Sequence, residues 1–133
     1  MKKITALITL LIITMNLVAQ TETNNYRLII KFGSIGTGVP ENKPLLTYIA
    51  NFKKKNKIKK IAYNNIGPMG REGEYYMAFY LKELKKKQAE IFVKEISEIA
   101  SKIKEKGTIE VVENEKIDIT TLSARQTITK IIL

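Results

Sequence analysis

The residues best placed to do chemistry are two glutamates and an arginine in the glycine-punctuated stretch GPMGREGE (67–74). If this stretch is extended, Glu72 and Glu74 share one face and lie roughly 7 Å apart along the chain. Glycosidases use paired carboxylates at a similar separation. Two surface glutamates without a cleft are more simply interpreted as solvated side chains, so we assign no catalytic residue.

The sequence lacks two of the residue types that enzymes use most often for catalysis. The 133 residues include no histidine and no cysteine. This excludes the usual general base at neutral pH and the commonest transition-metal ligand, and also any disulfide. An enzyme would have to rely on Arg71, Glu72, Glu74 and tyrosines. We therefore predict a protein that is not an enzyme and that uses no cofactor and no metal.

The glycine-rich stretch GSIGTGVP (33–40) is a second candidate loop, and the two loops hold six of the seven glycines. Free backbone N–H groups in such loops can cradle an anion. A simpler interpretation is a pair of turns, with Arg71 paired to Glu72 or Glu74. The glycine spacing matches neither the P-loop nor the dinucleotide fingerprint. The candidate ligand-binding or partner-binding residues are Ser34, Thr37, Arg71, Glu72 and Glu74.

Lysines form the other chemical feature of the sequence. Cations at the end of the first predicted helix suit its dipole, whereas those at the start of the second oppose it. An unfavourable local cluster favours use on an anionic surface, such as lipid headgroups, acidic polysaccharide or an acidic protein, although plain solvation would also explain it. The candidate residues are Lys53, Lys54, Lys55, Lys57, Lys85, Lys86 and Lys87, with Lys59, Lys60 and Lys82 beside them.

Hydrophobic periodicity supplies the elements that position these residues. Alternating apolar residues predict strands, and apolar residues at spacings of three and four predict helices. The second helix is expected to bury Leu84, Ile91, Phe92, Ile96, Ile99 and Ile103. The predicted order is a strand at 26–32, a helix at 42–55, strands at 58–66 and 75–81, a helix at 83–106, a strand at 108–112, a turn at 113–115 and a packed tail at 116–133.

This order predicts an α+β fold, a ferredoxin-like βαββαβ sandwich with two helices on one face of an antiparallel sheet and an additional C-terminal tail or strand. The two glycine loops and the turn at Gly107 should then leave the same end of the sheet. The lysines should gather at the opposite end.

The uncovered sheet face should carry Arg27, Ile29 and Lys31 beside Tyr76 and Tyr80. RNA-recognition motifs stack bases on a comparable face, but the expected export makes nucleic acid an improbable partner. An exposed apolar face of this size is a liability. We therefore expect the tail to cover it, or a second copy of the chain in a homodimer.

The N-terminus has the layout of a secretory signal peptide: Lys2 and Lys3, an apolar run from Ile4 to Val18, and Ala19 at a cleavage point. The apolar run is shorter than the roughly 20 residues of a membrane-spanning helix. We predict a signal peptide at 1–19, a flexible leader at 20–25 and one α+β domain at 26–133. The product should be soluble, exported to the periplasm or beyond, without a transmembrane span. Its formal charge would fall from +10 to about +8, because cleavage removes Lys2 and Lys3.

The stretches FGSIGTG (32–38) and IGPMGREGEYY (66–76) resemble an uncharacterised family of small exported bacterial proteins, in which a Gly-Ser loop and a GPMGREGEYY-type loop recur in that order. The resemblance covers about 26–106. It implies an exported domain without enzymatic activity and carries over no site.

The sequence therefore predicts a small exported binding module for an unknown protein partner, acting through the glycine loops or the open sheet face. The alternative is an anion-binding accessory protein of the envelope that uses the lysine-rich end. An enzyme ranks third. The partner, the pathway and the oligomeric state cannot be read from these residues.

Overall fold

A computed structural model describes residues 24–133 of the protein. The predicted signal peptide (1–19) and the first part of the predicted leader lie outside the described residues. Asn24, at the end of that leader, accepts a backbone hydrogen bond from Ile117 N at 2.9 Å. Among the described residues, no helix has the length and apolarity needed to cross a membrane.

Five strands and two helices make up the described part of the chain. All neighbouring strands run antiparallel, in the order β4-β1-β3-β2-β5. The architecture is α+β, as predicted, and is consistent with a ferredoxin-like type of fold in which the tail supplies an extra strand. The elements are β1 (Asn25–Ser34), α1 (Lys43–Asn56), β2 (Ala62–Gly67), β3 (Tyr75–Phe79), α2 (Lys86–Lys102), β4 (Gly107–Lys116), a 3₁₀ turn (Ile119–Thr121) and β5 (Thr127–Ile132).

Helix α1 starts and stops on local signals. Pro44 lies in its first turn, where the missing N–H costs no hydrogen bond. Asn42 occupies the N-cap position, and its side chain makes no cap hydrogen bond. The helix ends at Lys57, whose left-handed backbone (φ 54°) directs its N–H back to the carbonyl groups of Lys53 and Lys54.

Helix α2 is shorter than predicted. It begins at Lys86 rather than near residue 83, because the chain turns first at Leu81, which is buried with φ 57°. The side chain of Gln88 accepts a hydrogen bond from Lys85 N at 3.0 Å and so closes the first turn. Ile91, expected in the core, is 50% exposed, whereas Val93 and Ala100 are buried.

The main core lies between the helices and one face of the sheet. Its strand residues include Leu28, Ile30 and Phe32, and its helix residues include Leu45, Ile49, Phe52, Phe92 and Ile96. The Phe92 ring meets those of Phe52 and Phe79 edge-on, with centroids 5.2 and 5.8 Å apart. Burying each such side chain contributes about 1.5–3 kcal/mol, so this layer holds the two helices on the sheet.

The alternation in β1 breaks at Arg27, and this corrects one prediction for the open face. Tyr26 lies on the face away from the helices and stacks on Tyr80, with centroids 4.4 Å apart. Arg27 lies on the helix side, where Nη1 bonds to Asn114 Oδ1 at 3.0 Å and to Glu113 at 2.9 Å. Asn114 has φ 55°, and this irregularity opposite Arg27 reverses the two side chains.

Strand β4 also differs from its prediction. Residues 113–115 do not turn; they continue the ladder with β1 as far as Lys116, which pairs with Asn25. The side-chain bonds of Glu113 to Arg27 and of Glu115 to Lys31 hold this end of the edge strand.

A crossover at 117–126 joins the two edges of the sheet. It leaves β4 opposite the start of β1, where Lys116 pairs with Asn25, and enters β5 opposite the end of β2, where Thr127 pairs with Gly67. The crossover therefore runs diagonally over the face away from the helices. Its Ile117 and Leu122 pack on a smaller core of Tyr26, Ile29, Ile66 and Ala78. Part of the tail thus covers part of the open face.

Candidate functional site

The glycine-loop end of the sheet consists of loops 33–40 and 67–74 together with Gly107. Gly107 pairs with Ser34, and a side chain added at Gly107 would overlap the carbonyl oxygen of Gly33. The predicted meeting of the three connections at one end is therefore confirmed.

Glu72 joins the two glycine loops. Its Oε2 accepts a hydrogen bond from the Ser34 hydroxyl and one from Gly38 N at 3.4 Å. The Ser34 oxygen accepts in turn from Gly36 N at 3.0 Å. Gly36 and Gly38 have φ values of 102° and 94°, a backbone that residues with side chains rarely adopt. The loop amides therefore bind a carboxylate of the protein itself.

The electrostatics of this contact follow from its donors. Hydrogen bonds from the Ser34 hydroxyl and the Gly38 amide lower the pKa of Glu72, because they stabilise the charged carboxylate. Glu74 supports the same loop by accepting from Glu72 N at 3.0 Å. Both carboxylates thus have structural partners within the loop. We call this arrangement of Ser34, Glu72 and Glu74 the Glu72 clamp.

Two predicted site residues stay outside the clamp. Thr37 and Arg71 are exposed, and within residues 24–133 neither makes a hydrogen bond or ion pair. The alternative interpretation that paired Arg71 with Glu72 or Glu74 is therefore wrong, because those carboxylates face Ser34, Gly38 and the loop backbone.

The opposite end of the sheet is the lysine-rich end. The close of α1 and the start of α2 meet there, and together they line a groove of about 520 Å³. Its cationic members are Lys57, Lys59, Lys60 and Lys85, with Asn56, Gln88 and Glu83 beside them. We call it the lysine groove. The remaining predicted cations, Lys53, Lys54, Lys55, Lys86 and Lys87, lie on the helix turns that flank it.

Within the described residues, the lysines of the lysine-rich end form no ion pair. Within residues 24–133 there are two ion pairs, Arg27–Glu113 and Lys31–Glu115, and both join β1 to β4. Burial lowers the pKa of Lys31, but the hydrogen bond and charge of Glu115 outweigh it and raise that pKa overall. The one acidic residue of the lysine groove, Glu83, accepts a hydrogen bond from Ala62 N at 3.2 Å. Among the residues that the structure describes, the seven lysines of the predicted set therefore have no ionic partner.

A second groove, of about 350 Å³, adjoins the first on the sheet face away from the helices. We call it the tyrosine groove. It lies in the corner of the sheet that the diagonal crossover leaves uncovered, and it shares Glu83 with the lysine groove. Its other lining residues are Ala62, Tyr63, Asn64, Tyr80, Lys82, Ile128 and Lys130.

Sequence reasoning missed the contribution of the tail to this groove. Residues 127–132 are rich in threonine and isoleucine, which are typical of a strand. Nothing in that pattern indicates which sheet edge the strand joins. Its pairing with β2, Lys130 opposite Asn64, brings a further cation beside Lys82.

Comparisons of the chain with protein-family models, with curated proteins and with solved structures found no match.

Proposed function

We propose that this protein is a small binding module for a polyanion and that it binds through the lysine-rich end. The observation that carries the proposal is the excess of cations in one groove. Four lysines from the end of α1, the loop after it and the start of α2 line it, and within the described residues none has an ionic partner. Its one acidic residue, Glu83, accepts from Ala62 N, whereas the groove at the other end of the helices has two acidic residues among its four lysines. Assembling like charges costs free energy, and an anionic partner that released its counterions would recover it.

The proposal reverses the order of the two binding hypotheses drawn from the sequence. At the glycine-loop end Glu72 already accepts hydrogen bonds from the Ser34 hydroxyl and the Gly38 amide, and Gly36 N donates to Ser34. Arg71 remains there as an exposed cation, so a protein partner at this end stays a second candidate. The predicted homodimer through the open sheet face also stays a prediction. The crossover already buries part of that face.

The proposal also includes export of the protein and a specific fold type. The N-terminal charge and hydropathy pattern, together with the resemblance to small exported proteins, supports an exported protein that meets its polyanion at the cell envelope. The strand order β4-β1-β3-β2 and the antiparallel pairing support a ferredoxin-like βαββαβ sandwich extended by β5. We also propose that the protein acts by binding alone, without catalysis.

A matched pair of charge variants tests the binding site. The first carries Gln in place of Lys57, Lys59, Lys60 and Lys85. The control carries Gln in place of Lys43, Lys102, Lys104 and Lys106, which line a groove at the other end of the helices. Each variant loses four positive charges. Heparin serves as the polyanion probe, and the salt concentration needed to elute the protein from immobilised heparin is measured.

The first variant should elute at distinctly lower salt than the wild type, and the control should elute close to it, because binding depends on where the charge lies. Equal shifts in the two variants would overturn the proposal in favour of a non-specific effect of net charge. Arg71→Ala should elute with the wild type. A loss confined to Arg71→Ala would instead support the glycine-loop end.

A further inference from the structure

The tyrosine groove offers partners for both donors and acceptors of a ligand. Lys82 and Lys130 are the cations in its lining, and Glu83 and Asn64 supply polar oxygens. The Tyr80 ring forms a wall, half-buried and stacked on Tyr26. Its volume of about 350 Å³ falls within the range of about 300–1,000 Å³ typical of small-molecule sites.

These groups are held by the fold. Asn64 donates to the Tyr26 hydroxyl at 2.9 Å, which fixes its side chain next to the tyrosine stack. Glu83 is anchored by the Ala62 N–H at 3.2 Å. Lys82 Nζ lies 4.9 Å from the centroid of the Tyr80 ring, a cation–π distance. The cation therefore lies directly above an aromatic surface.

The tyrosine groove combines two lysines with one glutamate, and this combination favours some anionic ligands over others. Phosphodiester groups of lipids and nucleic acids present acceptors alone, which suit the lysines but leave the oxygens of Glu83 and Asn64 without a donor. A sugar acid presents both a carboxylate for the lysines and hydroxyl donors for Glu83 and Asn64. The continuity with the lysine groove through Glu83 suits a chain rather than a single small molecule.

We propose that the tyrosine groove binds one acidic sugar unit of a linear acidic polysaccharide whose neighbouring units lie along the lysine groove. Lys82, which lies over the Tyr80 ring, and Lys130 bind the carboxylate of the sugar, and Glu83 accepts a hydrogen bond from one of its hydroxyl groups. This inference rests on the proposed function and adds the chemical class of the polyanion.

The test titrates the protein with trigalacturonate, with its methyl ester and with inorganic tripolyphosphate, followed by calorimetry and by NMR shifts of the Tyr80 ring and the Asn64 side-chain amide. Trigalacturonate should bind and shift both signals, whereas the ester, which lacks the charge, should bind at least about tenfold more weakly. Replacing Lys82 and Lys130 together by Gln should weaken trigalacturonate by about tenfold or more. The control, Lys104 and Lys106 replaced by Gln, should bind as the wild type.

Two results would overturn the inference in distinguishable ways. Equal or tighter binding of tripolyphosphate, of a single-stranded oligonucleotide or of vesicles containing anionic phospholipid, with the Tyr80 and Asn64 signals unmoved, would reject the sugar site and leave the lysine groove as a general polyanion surface. If the protein also fails to bind heparin, the proposed function falls with it.

Discussion

The two ends of the sheet treat charge in opposite ways. At the glycine-loop end, Glu72 is surrounded by donors from a different loop, and the result is a closed contact between 33–40 and 67–74. At the lysine-rich end, side chains of one sign converge and, within the described residues, find no ionic partner. Both ends are rich in residues that could bind an anion, but only the glycine-loop end binds a carboxylate of the protein itself, that of Glu72.

The difference separates a structural role from a binding role. A charged group that is satisfied internally stabilises the fold and is costly to release, because a new ligand must first replace its partner. A charged group that is not satisfied adds repulsion to the folded state and is available to an external ligand at no such cost. The comparison therefore assigns the glycine loops to structure and the lysine groove to recognition.

The largest expected effect on stability lies at the glycine-loop end. Gly107→Ala should lower the free energy of unfolding by about 1–3 kcal/mol, since the new methyl group overlaps the Gly33 carbonyl and lies 2.9 Å from Pro40 Cδ. Gly33→Ala is the matched control, because its methyl group meets the Thr108 hydroxyl at 2.7 Å, a side chain that can rotate away. Urea unfolding measures both. Equal losses of unfolding free energy in the two variants would contradict this prediction, because they would show that backbone and side chain accommodate the added methyl group equally well.

A smaller effect is expected from charge repulsion at the lysine-rich end. Raising the salt concentration should stabilise the wild type by about 0.5 kcal/mol, because screening weakens repulsion among exposed cations. The variant with Gln at Lys57, Lys59, Lys60 and Lys85 should gain less from salt. Urea unfolding in low and high sodium chloride makes the comparison. An identical salt response in the variant would mean that these lysines do not repel one another appreciably.

The smallest effect concerns the Glu72 clamp and is local. The pKa of Glu72 is lowered in the folded protein, so its stabilising contribution is present above the ordinary value of 4.5 and is lost as pH falls through the folded pKa. The amide signals of Gly36 and Gly38 should shift with a midpoint below 4.5. In Glu72→Gln this titration should disappear and both amides should exchange faster with solvent. A titration that persists in Glu72→Gln would assign it to another carboxylate.

Local sequence patterns predicted most of the fold. Alternation gave β1 to β3, and helical spacing with Pro44 and the lysines gave α1. Patterns were less reliable where tertiary contacts override them. Residues 113–115 look like a turn, but they extend β4 because β1 offers a complete ladder with Arg27 and Lys31 as charged partners.

The candidate site likewise has one part that local sequence patterns predicted and one part that they did not. The lysine cluster could be predicted, because the predicted sandwich packs its two helices antiparallel, and the end of the first helix then lies beside the start of the second. The tyrosine groove could not, because Lys130 reaches it only through the pairing of β5 with β2. Its open corner also depends on the diagonal path of the crossover, which no local pattern encodes.

The sequence by itself determined the elements, their order and the two sets of chemical groups, because periodicity, turn residues and charge are local properties. Only the tertiary structure decided what those groups do to each other. It directed the Glu72 carboxylate to Ser34 and Gly38 rather than to Arg71, and across residues 24–133 it left the lysines of the lysine-rich end without an ion pair. Pairing of charges depends on distances between side chains remote in sequence, and the packing of the helices, loops and crossover on the sheet sets those distances.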